Sequence, residues 1–299
     1  MNIVVFFTSV NGVKTFVTNL VYGLQQNGYP VNLYKLGRTT ENCYRKYAGG
    51  VMYRNMSEDD IMKLPSQGPT LLATTAPKFA EQAEMLVSKG ARVVIHSSSK
   101  GDLACVGNTP LLIRSALKKF VPGGKVMKHP YVSRFSRKAI KPKYAICPTR
   151  LCGVKNTPIV LEAINNGANI DLYGDLMPFY GMYLDKNFSG WRKIWKGAYP
   201  ADSGFRLIAP YRFMIDLTTL PNDGGAVQYS FLEAMDAGAI PVIHSDWAWG
   251  DMRDGKNCIA VSGWEELMKL KYNRMDFSKT LAKFDAKRVA KLWWREVCL

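Results

Sequence analysis

One stretch constrains this chain more than any other: Asn222–Asp246, NDGGAVQYSFLEAMDAGAIPVIHSD. Asn222 and Asp223 read as a polar turn that runs into the pair Gly224-Gly225. Val227, Phe231, Leu232 and Met235 recur at spacings of three and four, which predicts a helix with one apolar face. Gly238 stands where a helix ends on a left-handed residue. Ile240-Pro241-Val242-Ile243 then predicts a short buried strand. Turn, helix and buried strand in this order make an α/β unit. A glycine loop at a helix start also aims backbone N–H groups one way, with the positive end of the helix dipole behind them. That is an anion site. The plain alternative is a structural turn that binds nothing.

The chain opens the same way. Ile3 to Phe7 reads as a buried strand, Thr8 to Gly12 as a loop, Val13 to Gln26 as a helix and Pro30 to Lys35 as the next strand. This pattern predicts a doubly wound parallel sheet, whose ligands bind at the carboxyl ends of the strands. Further strands are expected at Leu71–Thr74, Ala91–Ile95 and Val126–Val132, with helices at Pro77–Gly90 and from Thr109-Pro110 to Phe120. The third strand ends in His96-Ser97, so a histidine stands at a strand's carboxyl end, either facing a ligand or as a structural residue. A second set of α/β elements begins at Tyr144, with a helix at Pro158–Asn166 and strands at Ile170–Tyr173 and Phe213–Leu217. Residues 178–206 read as irregular and aromatic-rich, and helices at Trp264–Leu270 and Ala282–Val297 close the chain. The last of these reads as a helix capping a core.

At 299 residues the chain has room for two domains of ordinary size, and 47% hydrophobic content excludes general disorder. Lys141-Pro142 reads as the hinge, which gives an N-terminal domain at 1–142, a C-terminal domain at 143–281 and a final helix at 282–299, with a return of that helix to the first domain as an option. Six scattered cysteines form no CxxC pair and the three histidines are isolated, so no zinc pattern is present. The opening MNIVVFF lacks the charged start of a signal peptide, and no apolar run approaches the ~18 residues of a membrane span. A reduced, cytoplasmic protein is expected.

The formal charge is +16, and its placement is informative. From Leu103 to Leu161 there is no Asp or Glu, while twelve Lys and Arg fall in that stretch. Like charges at this density repel unless something anionic neutralises them. A run of nucleic-acid phosphates would do so by counterion release, and an anionic lipid surface would do so as well. Lys118, Lys119, Lys125, Lys128, Arg134, Arg137 and Lys138 are the expected phosphate contacts, with aromatic residues interleaved.

Two sheet domains, a hinge and the opening stretch together resemble the GT-B glycosyltransferases, in particular the large retaining family that includes sucrose and glycogen synthases. Arg150 and Lys155 follow the first strand of the second domain at the spacing of that family's diphosphate-binding Arg and Lys. Tyr173-Gly174-Asp175 resembles the family's strand ending in glycine, and FLEAMDAGAIPVI resembles its second Glu with the sequence that follows. The resemblance implies an α/β GT-B fold of two Rossmann-like domains facing a cleft. It also implies a UDP-sugar donor, with no tightly bound cofactor and no metal. By the same resemblance Glu233 holds the ribose hydroxyls, while Gly174, Asp223, Gly224, Gly225, Ala226, Gln228 and Tyr229 line the donor. In the family a first Glu stands eight positions before the second. Here that position is Gly225, with Asp223 the nearest carboxylate, so the contact to the donor sugar departs from the pattern.

The run Tyr229-Ser230-Phe231-Leu232-Glu233 and the strand Val93-Val94-Ile95-His96 are similar to the DNA α-glucosyltransferases of T-even phages, although the acid beside their histidine is Ser97 here. That likeness implies sugar transfer to a hydroxymethylated pyrimidine of duplex DNA, a cytoplasmic reaction in an infected cell. Arg150, Lys155 and His96 would serve the reaction, and Thr8, Asn11, Gly12, Lys14 and Ser97 would line the acceptor side. Two other readings stand beside it. One is an envelope polysaccharide or glycolipid transferase docking on anionic membrane through Leu111–Phe120 as an amphipathic helix. The other is a nucleic-acid-binding module without catalysis.

Overall fold

The computed structural model describes residues 1–6, 11–36, 54–74, 79–97, 103, 105–107, 110–134, 142–200, 204–220 and 224–299. The chain divides into two compact units, Met1–Val132 with Ala282–Leu299, and Ser133–Leu281.

In unit 1 the chain runs β1 (Asn2–Phe6), α1 (Asn11–Gln25), β2 (Asn32–Leu36), β3 (Arg54–Asn55), α2 (Glu58–Ile61), α3 (Leu64–Gln67), β4 (Thr70–Thr74), α4 (Ala80–Ser88), β5 (Arg92–Ile95), β6 (Leu111–Leu112) and β7 (Lys125–Val126). Among the described residues these strands form one parallel sheet in the order β3-β2-β1-β4-β5-β6-β7. All five residues of β1 are buried, as expected of a strand covered on both faces. Val4, Phe6, Leu72, Val93, Ile95 and Leu112 meet in one core cluster. Burying each such side chain contributes about 1.5–3 kcal/mol relative to exposure.

Unit 2 runs β8 (Lys143–Pro148), α5 (Thr157–Asn165), β9 (Ile170–Tyr173), α6 (Tyr180–Asn187), α7 (Trp191–Ile194), α8 (Gly204–Ile208), β10 (Tyr211–Asp216), α9 (Tyr229–Asp236), β11 (Ile240–His244), β12 (Ile259–Val261) and α10 (Trp264–Met268). Its strands pair in parallel in the order β12-β11-β10-β8-β9. The order reverses direction between β8 and β10, which makes the carboxyl ends of those two strands the topological switch point, where ligands of open α/β sheets bind. Two further helices follow, α11 (Ser278–Phe284) and α12 (Ala286–Cys298).

α12 belongs to unit 1 and lies on α1. A Cβ on Gly23 would sit 2.2 Å from the Ala286 carbonyl oxygen, so only glycine permits this approach. Asn27 Nδ2 donates to the Lys287 carbonyl at 2.8 Å, Trp294 stacks on Tyr29, and Trp293 is fully buried with its indole N–H on the Lys128 carbonyl at 2.9 Å.

Four sequence expectations are corrected here. The helix expected from Thr109-Pro110 to Phe120 is strand β6 followed by a 3-10 turn, Ser115–Lys119. Leu111, Leu112 and Ile113 are all buried, which suits a strand covered on both faces, and the first two pair with Val94 and Ile95. The strand expected at Val126–Val132 shrinks to Lys125–Val126, because Pro130 offers no ladder N–H and Tyr131 instead makes a single bridge to Asp285. The helix expected from Val13 starts at Asn11, which puts Asn11 and Gly12 in its first turn. Residues 178–206 are not irregular throughout, since they hold α6, α7 and the start of α8. Phe179 and Gly190 take left-handed conformations and break that stretch into short pieces, which hides the helical period.

Candidate functional site

The donor residues expected from the sequence gather at the carboxyl edge of the unit 2 sheet. Gly174 ends β9 at φ +126°, and a Cβ there would lie 1.8 Å from the Thr149 carbonyl oxygen just after β8. Its N–H bonds the Gly197 carbonyl and its own carbonyl accepts the Trp195 indole N–H, both at 3.0 Å, so the residue is pinned on two sides. The loops after β8 and β9 then pair: Leu151 N–H donates to the Asp175 carbonyl at 2.8 Å and Met177 N–H to the Leu151 carbonyl at 3.2 Å. Arg150 stands exposed on this paired surface, with Nη1 3.8 Å from the Met177 thioether, a weak acceptor.

Lys155, in the 3-10 turn Gly153–Lys155, crosses to the end of β10. Its Nζ lies 3.0 and 3.1 Å from the two carboxylate oxygens of Asp216 and 2.5 Å from Thr218 Oγ1. Asp216 is buried, and Thr218 closes back on the same carboxylate. Asn156 fixes the register, donating to the Leu217 carbonyl at 2.8 Å and to Thr219 Oγ1 at 3.0 Å. The Lys155 ammonium is thus held in place by a carboxylate at the switch point. A diphosphate arriving there would exchange with one of these contacts, and Thr218 is the neutral one. Cys147, beside this group, has its thiol pushed up to about 11, chiefly by burial, and stays protonated.

Glu233 on α9 is buried, with Oε1 3.6 Å from Arg134 Nη2. Gly204 packs beside it, its α-carbon face turned to the Tyr199 ring and to Oε2. Tyr199 donates to the Pro148 carbonyl at 2.6 Å, and its phenol is pushed upward by burial first and then by the negative charges of Glu233 and Asp216. Asp216, Thr218, Tyr199 and the Glu233 partner Arg134 were not picked out from the sequence as donor-site residues. Asp216 had a readable signal: an acid ending an otherwise apolar strand.

The glycine loop differs from expectation. α9 starts at Tyr229, with extended Gln228 as its N-cap, so Gly224 and Gly225 stand clear of the helix. Gly225 N–H donates to the Trp247 carbonyl at 3.2 Å, and Gly224, Gly225 and Ala226 are buried. The Gly225 amide is therefore committed within the protein rather than presented to a phosphate. Ala226 likewise spends its carbonyl on the Trp247 indole N–H, at 2.8 Å.

In unit 1 the expected acceptor residues Gly12 and Lys14 lie in the first turns of α1, and Ser97 follows β5. His96 is buried, with Nε2 2.7 Å from the Ala73 carbonyl and its ring edge-on to Phe16 at 5.1 Å. That contact matches the structural option named for this histidine, with Nε2 on the backbone of the neighbouring strand. Of the expected DNA contacts, Lys118, Lys119 and Lys125 are exposed, Lys125 pairing with Glu296, while Lys128 lies 4.8 Å above the Phe284 ring. Arg134 departs from its expected place on a basic track: it sits in unit 2 with its backbone N–H on the Asp236 carboxylate, its side chain 13% exposed, its guanidinium over Phe205 and against Glu233. Thr8, Asp223, Arg137, Lys138 and hinge residue Lys141 lie outside the described residues, as does the side chain of Asn11. No helix among the described residues is long and apolar enough to cross a membrane.

No family model and no curated protein matches the sequence at a significant level. Solved structures do match in shape. An alpha-glucosyltransferase in complex with UDP-glucose and DNA containing an abasic site superposes with a TM-score of 0.70 at 13% identity, over 99% of each chain. Anabaena HepE, in complex with UDP and glucose, gives 0.68 at 13% identity, over 100% of this chain and 96% of its own. AviGT4, a glycosyltransferase involved in avilamycin A biosynthesis, gives 0.66 at 11% identity, over 99% and 97%. The fold of this chain is that of the GT-B glycosyltransferases.

Proposed function

We propose that the chain is a UDP-sugar-dependent glycosyltransferase that acts on hydroxymethylated pyrimidines in duplex DNA. The observation carrying this reading is the convergence of Arg150, Lys155, Gly174 and Glu233 on one sheet edge at a switch point. In such a transfer the acceptor hydroxyl oxygen bonds to the donor's anomeric carbon, the bond from that carbon to the diphosphate breaks, and UDP leaves with the electron pair. Charge grows on the leaving diphosphate, so cations already in place stabilise the transition state more than the ground state. Arg150 and Lys155 supply them. Glu233 accepts hydrogen bonds from the ribose hydroxyls. The acceptor proton passes to the departing phosphate oxygen, which requires no dedicated base and accords with the structural position of His96. Retention at the anomeric carbon is the outcome the GT-B resemblance suggests.

DNA as acceptor is supported by the acid-free basic stretch, by the exposure of Lys118, Lys119 and Lys125, and by the likeness to an alpha-glucosyltransferase bound to DNA. The base would leave the helix to reach the donor carbon. The membrane-docking reading loses its main feature, since Leu111–Phe120 does not form an amphipathic helix. We assign acceptor binding to the N-terminal unit and donor binding to the unit that follows it, with the boundary at Val132/Ser133 rather than at the expected hinge, and place the reaction in the cytoplasm of a phage-infected cell. The test is mass spectrometry of hydroxymethylcytosine- and hydroxymethyluracil-containing duplexes after incubation with a panel of UDP-sugars. A hexose or pentose mass increment on one duplex is expected. No increment with any donor, in a preparation that binds UDP, removes the DNA assignment.

A further inference from the structure

We propose that Trp249 is the platform on which the transferred sugar of the donor rests, an assignment that itself rests on the UDP-sugar reading above. Gly225 is buried at φ +70°. A Cβ built on it would lie 2.3, 2.5 and 2.6 Å from Cδ2, Cε3 and Cε2 of Trp249. Near-equal distances to an atom and its two bonded neighbours put that Cβ over the ring face, so the indole lies flat on the glycine. A Cβ on Gly224 would come within 3.1 Å of the indole nitrogen. Gly250, at φ +65°, meets the Gly225 carbonyl at 2.8 Å by the same construction. Hydrogen bonds from Gly225 N–H to the Trp247 carbonyl at 3.2 Å, and from Asp251 N–H to the Gly225 carbonyl at 2.8 Å, tie the two loops together, and Trp249 N–H turns back on the Trp247 carbonyl at 2.9 Å. The ring is fixed in one pose by glycines beneath it, yet the residue remains 44% exposed. With the inner face covered, the exposure belongs to the outer face.

The strand order says what that face meets. Reading across the edge, β9, β8, β10 and β11 are neighbours. Tyr199, bonded to the end of β8, and Glu233 beside it mark the nucleoside end. Lys155 stands over the end of β10. Trp249 follows β11, which neighbours β10 on the side away from β8, the strand to whose end Tyr199 bonds. A ligand with its ribose at Glu233 and its diphosphate at Lys155 therefore carries its sugar toward Trp249. An indole face is electron-rich and apolar, and takes the C–H face of a pyranose ring. It also explains why position 225 holds no carboxylate: the indole fills the space that a side chain there would need. Discrimination between donors then depends on the shape of the sugar's apolar face more than on a charged contact to its hydroxyls.

The experiment is calorimetric titration of wild type, Trp249→Ala and Trp249→Phe with UDP and with UDP-glucose, UDP-galactose, UDP-N-acetylglucosamine and UDP-xylose, without acceptor. Thermal melts check that each variant is folded. For the donor that wild type prefers, the ratio of the UDP-sugar Kd to the UDP Kd should rise about tenfold in Trp249→Ala and recover most of the way in Trp249→Phe. An unchanged ratio in Trp249→Ala overturns the proposal, whether both affinities hold or both fall together. The second pattern would make the indole a prop for the glycine loop. Failure of wild type to bind UDP is a separate result and removes the donor-site reading itself.

Discussion

Replacing Gly174 with alanine tests the donor site through a single methyl group. Gly174 adopts φ +126°, a conformation that costs an L-residue about 1–3 kcal/mol. The new Cβ would lie 1.8 Å from the Thr149 carbonyl oxygen and 2.5 Å from its carbonyl carbon. Both are backbone atoms, so no side chain can swing aside, and the hydrogen bonds to Gly197 and Trp195 stop Gly174 from retreating. Overpacking of this kind costs about another 1–3 kcal/mol. The sum is roughly 2–6 kcal/mol, which for a unit of about 150 residues lowers Tm by roughly 5–20 °C. Because the displaced backbone leads into Arg150, the Kd for UDP should rise as well. Gly153→Ala is the control: it lies four residues beyond Thr149, with open space around its Cβ and no left-handed φ, and is expected within about 1 kcal/mol of wild type. Thermal melts and UDP titrations of the two variants provide the assay. A Gly174→Ala protein that melts and binds UDP like wild type would refute the claim that this glycine sets the position of Arg150.

Asp216→Asn removes the charge facing Lys155 while keeping its size; a loss of about 1–3 kcal/mol in urea unfolding is expected, with weaker UDP binding as Lys155 loses its fixed position. His129 is buried and held neutral, its pKa pushed well below the usual range first by burial and then by Arg114 and His96. Since the folded state refuses a proton that the unfolded chain accepts, stability is present above about pH 6.5 and falls below it by up to about 1.4 kcal/mol per pH unit. Unfolding curves between pH 5 and 8 should show that slope, and His129→Asn should flatten it. Lys118→Ala combined with Lys119→Ala should lower duplex affinity and reduce the slope of log K against log salt by about 2, while UDP binding stays unchanged. An unaltered salt slope would take DNA off this surface.

The donor half of the site was legible because its chemistry is written in local runs. Arg150 and Lys155 follow a strand at fixed spacing, Gly174 directly follows a strand, and Glu233 lies inside a helix whose apolar period is readable. What escaped was made by the fold. The Gly225 amide and the indole above it depend on Trp247 and Trp249, more than twenty residues away and carrying no local pattern. Arg134 looked like part of a basic track because charge was counted along the chain, whereas packing turns it inward against Glu233. His96 looked like a ligand residue from its place at a strand end, but the adjacent β4 offers it the Ala73 carbonyl. Leu111–Phe120 fits a helical period on paper, yet Leu111, Leu112 and Ile113 are buried as a run, and β5 has an open edge that pairs with them.

The seat of α12 on α1 has a consequence for how the molecule is made. A ribosome delivers unit 1 in two instalments, residues 1–132 early and 282–299 late, while unit 2 emerges unbroken between them. Until the late instalment arrives, Gly23, Phe16 and Tyr29 lack the partners that cover them, Ala286, Trp293 and Trp294. The first unit to begin synthesis is therefore the last to complete its core, and the apolar flank of α1 stays uncovered during the interval.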